Sequence, residues 1–172
     1  MDIGKYMITT DTHIYFYGGI YSQWYPCLFE HEGTFYTSAE QWMMAGKAKL
    51  FKDDEMLGKI MATDDCWKQK MEYGRNVKNF DINKWNTHAR DIVTAGNVLK
   101  FKQDPYLFNQ ITVESGNRKF VEGSPTDCIW GVGLAYNDPL IYDEKNWRGI
   151  NWLGECLVDA RKILRNMNSP II

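Results

Sequence analysis

The stretch Val121-Glu122-Gly123-Ser124-Pro125-Thr126-Asp127-Cys128-Ile129-Trp130-Gly131-Val132-Gly133 constrains this chain more than any other. The apolar lead-in Lys119-Phe120-Val121 predicts a short strand. Gly123-Ser124-Pro125 must then turn, because glycine permits positive φ and proline holds φ at about −65°. The turn leaves Asp127 on a loop, with Trp130 soon after it and Gly131 and Gly133 beside the indole. Small residues next to a large ring let backbone approach a flat ligand. A carboxylate, a stacking ring and glycines on one loop suit a planar, nucleotide-like ligand. The same residues also suit a tight turn in which Asp127 caps and Trp130 is core.

A pocket for a flat ligand draws on aromatic side chains, and here composition bears on the argument. Aromatic residues make up 15% of the 172 residues, including seven Trp and ten Tyr, more than a core of this size needs. One domain spanning 1–172 is expected, with 1–10 as a loose tail. A formal net charge of −2 argues against a non-specific nucleic-acid binder, which needs clustered Lys and Arg. It is compatible with an enzyme that grips one modified nucleotide. Cys27, Cys66, Cys128 and Cys156 form no CxxC pair and there are only three His, so no metal site is expected. Without a signal peptide or a long apolar run, the chain reads as cytoplasmic, with reduced thiols and no membrane contact.

Residues 14–17 predict a strand ended by Gly18-Gly19, followed by the aromatic loop Tyr21-Ser22-Gln23-Trp24-Tyr25. Residues 27–30 and 34–36 predict a hairpin turning at His31-Glu32-Gly33. Thr37-Ser38-Ala39-Glu40 has the form of a capping box, with Thr37 as N-cap, opening a helix over 39–51. On that helix Glu40, Met44, Lys47 and Phe51 share a stripe. Glu40 and Lys47 point the same way within about 20°, roughly 10 Å apart along the axis. Two ionisable groups on an apolar stripe are costly unless paired or at work. The alternative is that Glu40 only closes its capping box and Lys47 snorkels.

Asp53 caps a short helix to Met61, and Asp64 another over 65–73 with Gly74 as C-cap and Arg75 beyond it. Asp81 or Asn83 opens the longest helix, to about Gln103, with Trp85, Ala89, Ile92, Gly96 and Leu99 inward. Trp85 stands in the first turn, where it either stacks on a ligand or joins the core. Pro105 opens a helix to Ile111. Residues 112–113 and 119–121 bracket a second hairpin at Ser115-Gly116-Asn117. The irregular segment 134–147 has the length of a lid or binding loop. Asn151 is the expected N-cap of a final helix over 152–165. The fold class is therefore α+β, helix-dominated, with small antiparallel hairpins.

Taken in order, a set of these stretches resembles the NADAR family, which includes the YbiA-type proteins. They are Phe16-Tyr17; Ser22-Gln23-Trp24; Ser38-Ala39-Glu40-Gln41 with Lys47; Gly74-Arg75; Trp85; Lys100-Phe101; Val121-Glu122 with Asp127, Trp130-Gly131 and Gly133; and Gly149, Asn151 and Gly154 with Arg161. They span about 14–165. Two departures, Gln23-Trp24 in place of Asn-Phe and the long insert between Gly133 and Gly149, fall where substrate would be read.

The resemblance implies N-glycosidase chemistry on a ribose bonded through C1 to an exocyclic base amine. Some members remove ADP-ribose from the guanine amino group, paired with DNA ADP-ribosyltransferases. YbiA-like members hydrolyse ribosylaminopyrimidine phosphates, early riboflavin intermediates. The implied ligand is ADP-ribose or a ribose phosphate, with modified DNA as a candidate substrate and no cofactor. Glu40 is expected as general acid/base. Lys47 is expected as an amine that adds to C1 or tunes Glu40, and Asp127 as the group that steadies the cationic sugar. Trp85 and Trp130 are expected to stack, and Arg75 and the backbone at Asn151 to hold phosphate. Tyr17, Gly18, Ser22, Gln23, Trp24, Gly131 and Gly133 complete the expected binding surface. ADP-ribosylated guanine is favoured because the 21–25 loop departs from the YbiA-type pattern and Tyr136, Tyr142 and Trp147 offer further stacking surface. A non-catalytic ADP-ribose reader would have lost Glu40 or Lys47. An adaptor would show no deep pocket and an exposed apolar patch.

Overall fold

The computed structural model describes residues 6–167. In its three-stranded sheet β1 (Met7–Thr9) pairs antiparallel with β2 (His13–Phe16), and β2 pairs in parallel with β5 (Lys119–Glu122). Strand β1 lies inside the segment expected to be a loose tail. Ile8 packs on the outer sheet face, and this burial orders the strand; residues 1–5 lie outside the described residues. The hairpin of β3 (Phe29–His31) and β4 (Thr34–Tyr36) forms as expected, turning at Glu32 and Gly33, both at positive φ.

Helix α1 (Ala39–Leu50) packs against α2 (Asp54–Met61) and the long α3 (Ile82–Gln103). Asp53 and Asp81 cap α2 and α3 through Met56 N–H and Lys84 N–H. α1 and α3 approach closely: a Cβ on Gly96 would stand 2.4 Å from the Trp42 ring, whose Nε1 donates to the Ile92 carbonyl at 2.8 Å. Trp85, Ala89 and Gly96 face inward on α3 as expected, and the buried face is wider on one side. Val93, Asn97, Lys100 and Phe101 are buried, while Ile92 and Leu99 lie at its margin.

Between α2 and α3 runs a π-helical turn, Lys68–Tyr73. Gly74 is its C-cap, as expected, with φ −63° and its N–H donating to the Gln69 and Lys70 carbonyls. Gly74 also gives space, since a Cβ there would fall on Met44 Sδ. α4 (Pro105–Asn109), capped by Asp104, continues into a second π-helical turn, Gln110–Glu114. That turn replaces the expected second hairpin, because β5 finds its partner in β2 rather than in the adjacent chain.

α5 (Trp152–Met167) covers one sheet face, where Ile14, Phe16 and Phe120 meet Leu153, Leu157, Ala160 and Leu164. Alternation along the strands turns Tyr15 and Val121 the other way, and Val132, Leu134 and Ile141 cover them. Segment 134–147 is thus the second cover of the sheet. Trp147 Nε1 donates to Ile141 O at 2.8 Å, Tyr142 packs edge-on against Tyr15, and Tyr136 joins the same cluster. Tyr136 and Trp147 are thus packed on the sheet rather than offered as ligand surface, while Tyr142 touches Tyr15 with its edge and stays half exposed. Among the described residues no helix is long and apolar enough to cross a membrane.

Candidate active site

Ser38, with extended backbone, is the N-cap of α1: its Oγ accepts Gln41 N–H at 3.0 Å. Gln41 Oε1 reaches back to Thr37 N–H at 2.8 Å. The capping frame thus sits one residue later than Thr37 and Glu40 would have it, and Glu40 is released from cap duty. Its backbone N–H donates to Gln23 O at 2.9 Å, and the side chain turns inward, 3% exposed. The Trp24 side chain reaches its carboxylate, while Oε1 has no hydrogen-bond partner among the described residues. Burial pushes the Glu40 carboxyl up to about 7, against the pull of Lys70, Trp24 and Lys47; Asp127 adds to the push.

Asp127 is held by its own loop. Oδ1 accepts Ile129 N–H at 2.9 Å and Trp130 N–H at 2.8 Å, so Oδ2 is the oxygen left to face outward. It stands 3.9 Å from Lys70 Nζ. Glu122 ends β5 in the same neighbourhood, and burial, with Asp127 and Glu40 nearby, pushes its carboxyl up to about 8. Lys70 thus pairs with Asp127 and acts electrostatically on Glu40 and Glu122. Lys47 lies next to them: Nζ donates to Gly74 O at 2.7 Å and sits 4.2 Å from the Phe80 ring centroid and 5.6 Å from that of Trp85. Burial, with Arg75 beside it, lowers the Lys47 ammonium's pKa.

Glu40, Lys47, Asp127 and Trp24 are thus brought together, with Arg75 exposed at the margin. Tyr17 and Gly18 follow β2 where Phe16 faces Glu122, and Tyr17 is exposed there. Ser22 and Gln23 are buried supports. Ser22 O takes the buried Lys100 ammonium at 2.9 Å, and Gln23 Oε1 takes Asn97 Nδ2 at 2.9 Å. Trp85 is core apart from its edge toward Lys47. Trp130 is partly buried, edge-on to Trp152.

Gly131 and Gly133 are buried. A Cβ on Gly131 would stand 2.8 Å from Glu122 O, and one on Gly133 would stand 2.9 Å from Arg148 Cβ. They serve close packing inside the loop rather than approach to a ligand. Asn151 is not free for phosphate either, since Nδ2 donates to Phe120 O and Oδ1 accepts Glu122 N–H. The backbone N–H groups of Asn151, Trp152 and Leu153 bond Gly131, Ile129 and Trp130 carbonyls. The start of α5 is therefore closed by protein.

Sequence reasoning missed two members of the cluster as functional groups. Glu122 was visible as a carboxylate in the organising stretch, but a strand end gives no clue to its facing. Lys70 carried no signal, because a π-helical turn breaks the 3.6-residue period. Beside the cluster a groove of about 390 Å³ opens between Trp24, Pro26, Leu28, Ser38 and Cys66. A larger surface groove, about 680 Å³, lies at the other ends of β2 and β5, around His13 and Lys119.

Residues 15–165 match the model of the NADAR domain family. An N-glycosidase of Acanthamoeba polyphaga mimivirus is 43% identical over 168 residues, covering 89% of this chain and 96% of that one. An N-glycosidase of Nostoc punctiforme is 26% identical over 161 residues, covering 91% and 95%. The solution structure of the E. coli protein YbiA superposes with a TM-score of 0.74 at 20% identity, over 97% of this chain and 94% of that one. At that identity the likeness is one of fold.

Proposed function

This chain belongs to the NADAR domain family, and on that premise we propose that it is an N-glycosidase cleaving the bond between ribose C1 and an exocyclic base amine. The relatives named N-glycosidases support the reaction class. The observation that carries the reading is Glu40: a buried carboxyl with an unpartnered oxygen, titrating near neutrality, beside Asp127. A group that titrates near working pH can both give and take a proton.

In this reading the C1–N bond breaks with its electron pair going to the base nitrogen, and protonated Glu40 supplies the proton. Positive charge grows on the sugar, and Asp127 Oδ2 steadies it. Water then adds to C1 and returns its proton to Glu40. Lys47 offers a covalent variant. Its amine displaces the base amine from C1 of the opened sugar, and water hydrolyses the resulting imine. Arg75 takes the phosphoryl end.

ADP-ribosylated guanine is the substrate we favour. Two separate half-exposed rings flank the cluster, Trp24 beside Glu40 and Phe80 over Lys47, each 42% exposed. Two ring systems in the ligand match two such surfaces, and stacking is worth about 1–3 kcal/mol per base. The alternative, a ribosylaminopyrimidine phosphate, draws support from segment 134–147, which covers the sheet and adds no third ring to the site. Incubation with an ADP-ribosylguanosine oligonucleotide and, separately, with the riboflavin intermediate tests the reaction. Release of free ADP-ribose with return of the unmodified oligonucleotide from the first supports the favoured substrate; turnover of the second alone reverses the preference. Calorimetry adds a binding test: equal affinity for ADP-ribose and ribose 5-phosphate would mean that the adenosine half is not recognised.

A further inference from the structure

Lys70 stands where no part of the reaction above has used it. Its turn, Lys68–Tyr73, is π-helical and anchored by the buried Gln69, whose Nε2 donates to Thr63 O at 2.6 Å. The wider turn aims Lys70 at the 121–133 loop, where Nζ meets Asp127 Oδ2 at 3.9 Å. Asp127 has already committed Oδ1 to its own loop. Its orientation toward the sugar therefore depends on what faces Oδ2.

We propose that Lys70 is a positioning residue, holding Asp127 against the Glu40 and Glu122 carboxylates from the π-helical turn; this rests on the N-glycosidase reading. Glu40 projects from α1 into the cluster with an oxygen that no group among the described residues takes. Three carboxylates at close quarters cannot all ionise without a counter-charge. Lys47 faces Glu40 from its own helix but is engaged by Gly74 O. Trp24 reaches the Glu40 carboxylate, and the Cys66 thiol lies near it without charge to offer. Arg75 faces Lys47. Lys70 is the cation that Glu40, Glu122 and Asp127 all share. Lys70 thus faces Asp127 Oδ2 and limits how far burial raises the Glu40 and Glu122 carboxyls, which keep protons available for the departing amine.

The test uses the full chain with the δ-carboxyl carbons of glutamate labelled with ¹³C. Glu40→Gln and Glu122→Gln assign the two resonances. In Lys70→Met the Glu40 and Glu122 titrations move upward by about one pH unit, a tenfold change in proton affinity, as expected on loss of a neighbouring cation. Lys70→Arg returns them to near the wild-type position. The pH–rate profile of Lys70→Met moves in the same direction, which a merely structural role would not produce. Lys70→Gln serves as a second neutral variant should the methionine fail to fold. Unmoved titrations in a folded neutral variant overturn the role of Lys70. Moved titrations in a protein that cleaves the C1–N bond of neither substrate support it and overturn the N-glycosidase reading instead.

Discussion

Asn151 reaches back to β5 and accepts the backbone N–H of Glu122 at 3.1 Å, while its Nδ2 donates to Phe120 O at 2.8 Å. It does so with φ 55°, a left-handed conformation uncommon for a residue other than glycine. The start of α5 is thereby fixed to the strand that presents Glu122. Gly154, one turn on, permits this closeness, since a Cβ there would stand 2.0 Å from Phe120 O.

Asn151→Ala leaves a buried donor and a buried acceptor without partners and keeps the backbone strain. Each orphaned group costs about 1–3 kcal/mol. Urea unfolding should show a loss of roughly 2–4 kcal/mol, and the folded fraction should also be slower, because Glu122 loses its anchor. Unchanged stability would mean that water replaces the side chain.

The parts of this fold that sequence made legible are those governed by local chemistry. Asp53, Asp81 and Pro105 open their helices where capping rules put them, because a cap acts over three or four residues. Glu40 stood out as a charge on an apolar stripe, and Asp127 as a carboxylate beyond a forced turn. What stayed hidden depends on distant partners. β5 pairs with β2 from the far end of the chain, so a hairpin with its neighbours was the natural but mistaken expectation. Gly131, Gly133 and Asn151 carry ligand-like chemistry, yet backbone packing consumes them. Tyr136, Tyr142 and Trp147 gave no hint of which sheet face they cover.

Glu40→Gln removes the proton donor while preserving shape. Turnover should fall at least about a hundredfold, the usual scale for one general acid or base. Thermal melting would establish that the variant is folded. Near-wild-type rates in a folded variant would remove Glu40 from the mechanism.

The covalent route proposed for Lys47 draws on the same burial that lowers its ammonium's pKa. Borohydride added during turnover should reduce an imine and leave the sugar on Lys47, detected as a mass increase on the peptide that carries it. Lys47→Arg keeps the charge but cannot form the adduct. If no adduct forms while Lys47→Arg stays active, the lysine acts through charge alone.

The last prediction joins the site to the stability of the fold. Burial raises the Glu40 and Glu122 carboxyls to about 7 and about 8, from ordinary values of 4.5. The folded state therefore holds more protons than the unfolded chain between about pH 4.5 and 8, and stability must fall as pH rises through that window. Below pH 4.5 both states are protonated, and the full contribution is present. Above pH 8 both groups are ionised in a poorly solvated cluster, and the contribution is gone. A neutral glutamine of the same shape does not ionise, so Glu40→Gln and Glu122→Gln should each stabilise the protein at pH 8.5, on the order of 1–3 kcal/mol. At pH 4 each variant should lie close to wild type. Denaturant unfolding from pH 4 to 9 checks this: wild type should weaken with pH, each single variant less, and the double variant least. If the Glu40→Gln curve runs parallel to wild type throughout, its carboxyl titrates normally and is not the buried acid that the mechanism requires.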